Sequence, residues 1–353
     1  MSKYWNSTIK NLQTYIPGEQ PKDKRYIKLN TNENPYPPSP KVFEAIKGAD
    51  NGDLRLYPDP NGDELRKAIA QYYDLKMEQV FLGNGSDEIL GFTFGAFFEE
   101  GNLIFFPDIT YSFYRVYADL FHLDYRTIPV DQTFAIQEEQ YLTENGGIII
   151  PNPNAPTSRY LAHEQILKMV DYNYRKCGRV VVIDEAYVDF GGESVARYIR
   201  DFPNLLVIQT FSKARSLAGL RIGFAMGNKE LIEGLNRIKN SFNSYTLDRV
   251  ALAAAREAIL DRSYFEEMKK KVINTREWVI GRLRMAGCTV MDSRANFIFM
   301  SHPKVAAGEL FQKLRERGVL VRYFNQPRID NFLRVSIGTE EEMKKFCEMV
   351  EEF

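Results

Sequence analysis

The sequence predicts an α/β fold in which helices sandwich a mostly parallel sheet, followed by a smaller α+β domain. Short, continuously apolar runs alternate with helical stretches, and strands that are buried on both faces have this unbroken apolar pattern. The length of 353 residues exceeds the usual size of a single core and predicts two lobes. After about residue 229 long helical patterns replace the alternation, and a short α+β tail follows.

The N-terminal part of the chain is predicted to be irregular. The first thirty residues are polar and interrupted by proline and glycine, which indicates an arm that joins the smaller domain. Residues 29–38 contain too much proline for the interior of a helix or a sheet. The first clear helix is predicted over residues 63–73, where helical periodicity begins with acidic residues.

Strands and helices then alternate along the chain. The apolar runs predict strands at residues 80–82, 103–106, 147–150, 180–183, 206–208 and 222–225. Two long helices and two further strands are predicted at residues 247–260, 264–285, 296–300 and 332–337. The expected parts of the chain are an arm at 1–30, a large cofactor-binding domain at 31–240 and a small C-terminal domain at 241–353.

Composition and charge argue against several classes of function. The chain has 46 basic and 47 acidic residues that are well mixed, so there is no basic stripe to predict nucleic-acid binding. No apolar run approaches the length of a membrane span, and the first residues lack the apolar core of a signal peptide. We therefore expect a cytoplasmic protein without a membrane partner. The three cysteines and three histidines lack the spacing of a disulfide framework or a metal site.

Lys213 lies in the most informative segment of the chain, Gln209–Phe224. The apolar run at 205–208 predicts a buried strand, so the lysine follows a strand end, where α/β proteins place ligands. A partly desolvated lysine loses its proton more easily and becomes a nucleophile that can condense with an aldehyde. Most lysines are solvated surface residues, so this interpretation depends on the residues around it.

The turn Gly83–Glu88 follows a predicted strand and opens a helix. Free backbone N–H groups and the helix dipole favour a phosphate at such a position, and Ser86 can add a hydroxyl group. Glycine turns also precede many helices that bind nothing. The Gly-Lys-Ser/Thr ending of a Walker loop is absent.

Asp184 and Tyr187 follow another apolar run, at 181–183. A carboxylate at this point can pair with a protonated ring nitrogen of a bound heterocycle and so keep the ring an electron sink. The alternatives are a helix cap or a metal-binding acid, and the second lacks its Walker loop. Tyr187 can donate a hydrogen bond to a phenolic oxygen of the same ring.

Tyr111, Arg221 and Arg334 complete the candidate set. Tyr111 also follows a strand and can stack on a flat ring, although a lone tyrosine in this position is more often a core residue. The two arginines lie beside apolar strand residues, where an unpaired charge is costly, so both need anionic partners. A phosphate turn, an acid, two tyrosines, arginines and a lysine at strand ends together match pyridoxal 5′-phosphate.

The order of motifs resembles that of the histidinol-phosphate aminotransferases, which belong to the fold type I, aspartate-aminotransferase-like enzymes. The motifs that carry the resemblance stand at residues 32–35, 55–58, 85–88, 153–157, 184–187, 212–214, 217–223 and 333–338. The likeness extends from about Tyr15 to Thr339. The motifs around the lysine and the aspartate are more specific for the superfamily than for the substrate.

The resemblance implies a role for each matching residue. Lys213 would bind the cofactor aldehyde and move the substrate proton, Asp184 would pair with the pyridine nitrogen, and Tyr187 would contact O3′. Tyr111 would stack on the ring, and Tyr57 would reach the cofactor phosphate of the partner subunit in a homodimer. Further cofactor contacts would come from Gly85, Ser86, Asp87, Asn154, Thr210, Ser212 and Arg221. The substrate would be bound by Tyr15, Asn32, Arg322 and Arg334.

Two positions depart from the pattern of the family. The asparagine-proline-threonine-glycine box reads Ala155–Ser158 in this chain, so a side chain expected near O3′ is absent. Asn154 or Asn152 would compensate in part. Arg215 adds a charge close to Lys213, where it either tunes the lysine or faces a carboxylate, and we favour the carboxylate.

The resemblance implies a pyridoxal-phosphate-dependent aminotransferase that converts L-histidinol phosphate and 2-oxoglutarate into imidazole acetol phosphate and L-glutamate, in histidine biosynthesis. Alternatives within the group are an aromatic-amino-acid aminotransferase and a threonine-phosphate decarboxylase. A non-catalytic cofactor-binding regulator is an alternative from another class, which the intact set of Lys213, Asp184 and Tyr187 disfavours. A nicotinamide-dependent dehydrogenase fails because the glycine turn lacks the third glycine of the fingerprint. The expected partners are small amino and keto substrates and a second copy of the chain.

Overall fold

A computed structural model describes residues 2–353 as alternating strands and helices that lead into a smaller C-terminal unit. The strands are β1 (Ile27–Lys28), β2 (Val80–Gly83), β3 (Ile104–Pro107), β4 (Tyr125–Ile128), β5 (Ile148–Pro151), β6 (Val181–Asp184), β7 (Leu205–Thr210), β8 (Gly223–Gly227), β9 (Thr289–Val290), β10 (Phe297–Ser301), β11 (Val319–Leu320), β12 (Arg322–Tyr323) and β13 (Leu333–Ser336). The α-helices are α1 (Ser7–Asn11), α2 (Pro40–Ala49), α3 (Asp63–Tyr73), α4 (Gly85–Phe97), α5 (Phe113–Leu120), α6 (His163–Tyr172), α7 (Lys229–Phe242), α8 (Arg249–Leu260), α9 (Arg262–Met285), α10 (Ala307–Glu316) and α11 (Glu340–Glu351).

The central sheet has seven strands in the order β2-β8-β7-β6-β5-β3-β4. β8 runs antiparallel to both of its neighbours, and the other pairs are parallel. The predicted α/β fold with a mostly parallel sheet is therefore confirmed. All six predicted strands of this sheet are present. The sequence did not predict β4, because this edge strand is only partly buried and lacks a continuous apolar run.

Alternate residues of each central strand face two separate apolar cores. In β6, Val181 and Ile183 pack with α3, α6 and α8, whereas Val182 packs on the other face with α4, α5 and α7. Both faces of the sheet are thus covered by helices, which explains the unbroken apolar sequence of the strand. Functional polar residues can then occur only where the strands end.

The C-terminal unit has its own four-stranded antiparallel sheet, in the order β12-β13-β10-β9, and a third core that includes α9, α10 and α11. The N-terminal arm joins this unit, since β1 pairs in parallel with β11. α8, by contrast, packs on α2 and α3 in a core of the large unit. We therefore propose a domain boundary near Asp261 instead of residue 240.

Two further findings concern the structure as a whole. Within residues 2–353, no helix combines the length and the apolar character that crossing a membrane requires. Over the same residues, no group of three or more His, Cys, Asp or Glu side chains is placed to hold a metal ion.

Candidate active site

A cavity of about 590 Å³ lies where the parallel strands of the central sheet end. Pro151, Asp184 and Thr210, at the ends of β5, β6 and β7, line its floor. Residues of the N-terminal arm and of the C-terminal unit close the opposite side. The cavity brings together most of the predicted site residues, namely Tyr15, Asn32, Ser86, Asp87, Tyr111, Asp184, Tyr187, Thr210, Ser212, Lys213, Arg221, Arg322 and Arg334.

Lys213 presents its amine to this cavity from the loop that follows β7. Its Nζ donates a hydrogen bond to the carbonyl of Thr31 at 3.2 Å and lies 5.5 Å from the centre of the Tyr187 ring. Asn34 holds the loop, because its Nδ2 donates to the carbonyls of Lys213 and Ala214. The amine is therefore half-buried, held in place and directed at the cavity.

Asp184 is a buried carboxylate at the end of β6. The hydroxyl of Tyr114 donates to its Oδ2 at 2.8 Å, and the backbone N–H of Ala186 donates to its Oδ1 at 3.2 Å. Burial raises the pKa of Asp184 to about 6, although both hydrogen bonds oppose the rise. A protonated ring nitrogen would supply the positive charge that this carboxylate needs to stay ionised. Tyr114 was missed in the sequence, where it reads as an ordinary core residue of a helix.

The phosphate end of the cavity is built around a close backbone approach. A Cβ atom at Gly223 would lie 2.5 Å from Gly85 C and from Ser86 N, so this glycine lets β8 touch the turn before α4. Gly85 itself has φ +79°, a conformation that favours glycine. The start of α4 consequently lies against Arg221, since a Cβ atom at Gly85 would be 2.6 Å from Arg221 Nη2.

Arg221 supplies the cation of this phosphate end. Its Nη1 donates to Ser212 Oγ at 3.3 Å, and its Nη2 donates to Asp87 Oδ2 at 3.1 Å. Thr210 Oγ1 donates to Ser212 Oγ at 3.0 Å, and Tyr111 donates to the other oxygen of Asp87 at 2.8 Å. A guanidinium, two hydroxyls and a helix N-terminus form a donor set that fits a phosphate group.

The opposite end of the cavity carries two arginines. Arg334 is partly buried at the cavity, and its Nη2 donates to the carbonyl of Asn30 at 2.9 Å. Among the described residues its Nε has no hydrogen-bond partner. Arg322 donates to the carbonyls of Ile16 and Pro17 in the arm. The incompletely paired guanidinium of Arg334 lines the cavity together with Arg322, and a substrate carboxylate or phosphate would supply the anionic partner.

Three predicted residues lie outside the cavity lining. Asn154 is fully buried, and its Nδ2 donates to the carbonyl of Ile109 and to Thr157 Oγ1, both at 2.9 Å. These internal bonds hold the amide away from the cavity, which corrects the expectation that it compensates for Ala155. Gly85 contributes only backbone, and Tyr57 is 79% exposed and stacks on Tyr245.

Arg215 and Asn152 also lie outside the cavity lining, where their side chains are hydrogen-bonded within the protein. Arg215 does not line the cavity, because its Nη1 donates to the carbonyl of Ala258 at 2.6 Å and its guanidinium lies 3.9 Å from the ring centre of Phe265. Its direct contacts are a carbonyl and an aromatic ring instead of the expected carboxylate. Desolvation raises the pKa of Asp189, and the charge of Arg215 opposes that rise. The side chain of Asn152 is bonded to the backbone of Leu161.

The fold matches those of solved aminotransferases. The histidinol-phosphate aminotransferase of Sinorhizobium meliloti, solved in complex with pyridoxal-5′-phosphate, has a TM-score of 0.88 at 22% identity, over 100% of this chain and 98% of that one. The aspartate aminotransferase of Thermus thermophilus, solved with maleate, has a TM-score of 0.80 at 20% identity, over 93% and 91%. The architecture is that of the fold type I enzymes.

Sequence comparison shows to which family within this fold class the chain belongs. Residues 24–350 match the model for aminotransferases of class I and II, and the chain belongs to this family. The histidinol-phosphate aminotransferase of Clostridium acetobutylicum is 56% identical over 352 residues, which cover 100% of this chain and 99% of that protein. The enzyme of the same name from Clostridium beijerinckii is 57% identical over 343 residues, or 97% and 95%. The predicted aminotransferase class, its dependence on pyridoxal phosphate and the resemblance are thereby confirmed.

We expect Gly223→Ala to weaken cofactor binding, because the added Cβ must displace the backbone of Gly85 and Ser86. Overpacking of this kind costs about 1–3 kcal/mol, and the dissociation constant of pyridoxal phosphate should rise about tenfold. Titration of cofactor-free protein with pyridoxal phosphate measures the constant. Gly219→Ala is the matched control, since its Cβ would meet no atom within 4 Å. Equal constants for the two variants would contradict the close-approach argument.

We expect the contribution of Asp184 to the stability of the cofactor-free protein to be lost as the pH rises from about 4 to about 6. The folded-state pKa is raised from 3.8 to about 6, so ionisation in this window favours the unfolded chain. The loss is on the order of 3 kcal/mol. Urea unfolding of wild type and Asp184→Asn across this pH range measures it as a difference. Parallel curves for the two proteins would contradict the prediction.

Proposed function

We propose that this aminotransferase transfers the amino group of L-histidinol phosphate to 2-oxoglutarate, giving imidazole acetol phosphate and L-glutamate in histidine biosynthesis. The observation that carries the proposal is the incompletely paired Arg334, which lines the cavity with Arg322 at the end away from the phosphate turn. Both substrates are anionic. The relatives that are more than half identical over nearly the whole chain bear the name of this activity.

Each residue of the site has a separate role in the proposed reaction. Pyridoxal phosphate, when bound, supplies the aldehyde that takes up the amino group and a ring that accepts electrons from the substrate carbon. Lys213 would hold that aldehyde, and its Nζ, released when the amine of the substrate takes its place, would move the substrate proton. Asp184 would keep a positive charge on the ring nitrogen, and Tyr187 would donate a hydrogen bond to the ring hydroxyl oxygen. Tyr111 would pack beside the ring.

Tyr15 lines the cavity together with the two arginines and can act as an uncharged hydrogen-bond donor to the substrate. Its ring stacks on Phe113 with a centroid distance of 4.4 Å and meets the edge of Tyr111 at 6.0 Å. Desolvation raises the pKa of Tyr15, while Arg334 and Arg322 oppose the rise. The phenol therefore keeps its proton at neutral pH and can donate a hydrogen bond to a substrate anion.

The exposed apolar residues around Tyr57 support a homodimer. A monomer rarely leaves so many large side chains in water without a partner surface, and the exposed set comprises Leu54, Leu56, Tyr57, Phe242 and Tyr245. We propose that these residues meet a second copy of the chain and that Tyr57 reaches the cofactor phosphate of the partner subunit. We also propose the cytoplasm as the compartment, because the substrates are small charged metabolites of a biosynthetic pathway.

A spectral titration tests the substrate. The visible band of the cofactor-loaded protein should bleach when L-histidinol phosphate is added and should return with 2-oxoglutarate. L-Phenylalanine is the control and should bleach the band about a hundredfold less efficiently, since its carboxylate offers the two arginines less negative charge and fewer acceptor oxygens than a phosphate does. Bleaching by phenylalanine without bleaching by histidinol phosphate would support the aromatic enzyme instead. Lys213→Ala should lose the band in either case.

Hybrid dimers test the position of Tyr57. We expect Tyr57→Phe to raise the dissociation constant of pyridoxal phosphate about tenfold, because a hydrogen bond to a charged group is lost. A hybrid of one Tyr57→Phe subunit and one Lys213→Ala subunit contains one site with Lys213. If Tyr57 acts across the dimer, that site receives an intact tyrosine and keeps wild-type affinity. Weakened binding at that site would show that Tyr57 acts within its own subunit.

A further inference from the structure

Asn32 connects the C-terminal unit to Tyr187 through a continuous chain of hydrogen bonds. Ser336 Oγ, at the end of β13, accepts from the backbone N–H of Asn32 at 2.8 Å and donates to Asn32 Oδ1 at 3.0 Å. Asn32 Nδ2 then donates to the hydroxyl oxygen of Tyr187 at 3.1 Å. The three side chains form a relay that ends in the cavity.

Donor and acceptor chemistry sets the direction of this relay. A backbone N–H can only donate, so Ser336 Oγ accepts that bond and its own proton is directed to Asn32 Oδ1. An amide whose oxygen faces the serine must present its NH₂ group on the other side. The hydroxyl oxygen of Tyr187 therefore accepts, and the tyrosine proton remains free to be donated into the cavity.

The backbone of Asn32 is also fixed, by its conformation and by a hydrogen bond to its carbonyl. Its φ is +56°, a left-handed conformation that asparagine tolerates better than most residues. Asn296 Nδ2 donates to its carbonyl at 2.9 Å, and the residue is almost completely buried. Both polar atoms of the Asn32 side chain already have partners within the protein. The side chain is thus hydrogen-bonded to Ser336 and Tyr187 in the absence of substrate.

The Tyr187 ring is positioned by apolar side chains, with Lys213 Nζ 5.5 Å from the ring centre. The ring meets the edge of Phe297 with a centroid distance of 5.0 Å and packs against Ala155. These contacts place the ring but cannot rotate the hydroxyl proton. Asn32 is the described side chain that hydrogen-bonds to this hydroxyl.

We propose that Ser336 and Asn32 are positioning residues that orient the Tyr187 hydroxyl as a donor to the phenolic oxygen of the cofactor. The inference rests on the proposed contact between Tyr187 and that oxygen, and it assigns Asn32 a role other than substrate binding. A donated hydrogen bond stabilises negative charge on the phenolic oxygen. In the cofactor-loaded protein the loss of this donated hydrogen bond would leave more negative charge on the phenolic oxygen, which would then raise the affinity of Lys213 Nζ for its proton.

The pH midpoint of the visible band of the cofactor-loaded protein, without substrate, reports this proton. We expect Ser336→Ala to raise the midpoint by about 0.5–1 pH unit, because the Asn32 amide is then free to flip. Asn32→Gly should raise it similarly, and glycine suits the left-handed backbone without strain. The double variant should shift no further than Asn32→Gly alone, since Ser336 acts through Asn32.

Ser39→Ala is the matched control. It removes another buried serine hydroxyl, which donates to Asp261 outside the cavity lining. It should lower the melting temperature of the cofactor-free protein and leave the midpoint unchanged. Additive shifts in the double variant would overturn the serial relay.

Tyr187→Phe separates the inference from its premise. If Tyr187→Phe raises the midpoint while Ser336→Ala and Asn32→Gly leave it unchanged, the relay is refuted and the role of Tyr187 stands. If Tyr187→Phe has no effect, the proposed contact of Tyr187 fails and the relay fails with it. A common upward shift in all three variants is the expected result.

Discussion

The site depends on the register of β6 between β5 and β7. Asp184 pairs with Pro151 on one side and with Ile208 on the other, so its carboxylate lies at the end of a fully buried strand. A slip of one residue would turn Asp184 to the opposite face of the sheet. The same register brings the loop of Lys213, which follows β7, to the same cavity as that carboxylate. Tight apolar packing on both faces of the sheet is what prevents such a slip.

The positions of the charged groups in the cavity follow from this arrangement of the strands. Asp184 is held in a buried position that raises its pKa, which makes a cationic ring nitrogen its natural partner. Arg221 and the start of α4 offer donors at one end, while Arg334 and Arg322 place positive charge at the other. A molecule with a ring cation in the middle and anions at both ends complements this pattern, as a cofactor joined to an anionic substrate does.

The local sequence pattern predicts the structure where pattern and chemistry agree. Unbroken apolar runs predicted the buried strands, and the strand ends so predicted place Asp184 and Lys213 where both line the cavity. The local pattern fails where packing decides. β4 lacks an apolar run because it is an edge strand, and α8 reads as part of the C-terminal helices although it packs on α2 and α3. Asn154 lies in a motif that matches the family, but its amide is hydrogen-bonded to Ile109 and Thr157 within the protein.

The sequence by itself determined the fold class, the cofactor and the residues at the strand ends, because burial periodicity and side-chain chemistry are local properties. Only the tertiary structure decided which of these residues face the cavity and how their protons are arranged. Tyr114 beneath Asp184, and Ser336 behind Asn32, are ordinary residues in the sequence. They acquire their positions from hydrogen bonds between segments 70 and 304 residues apart, and no local pattern encodes such bonds.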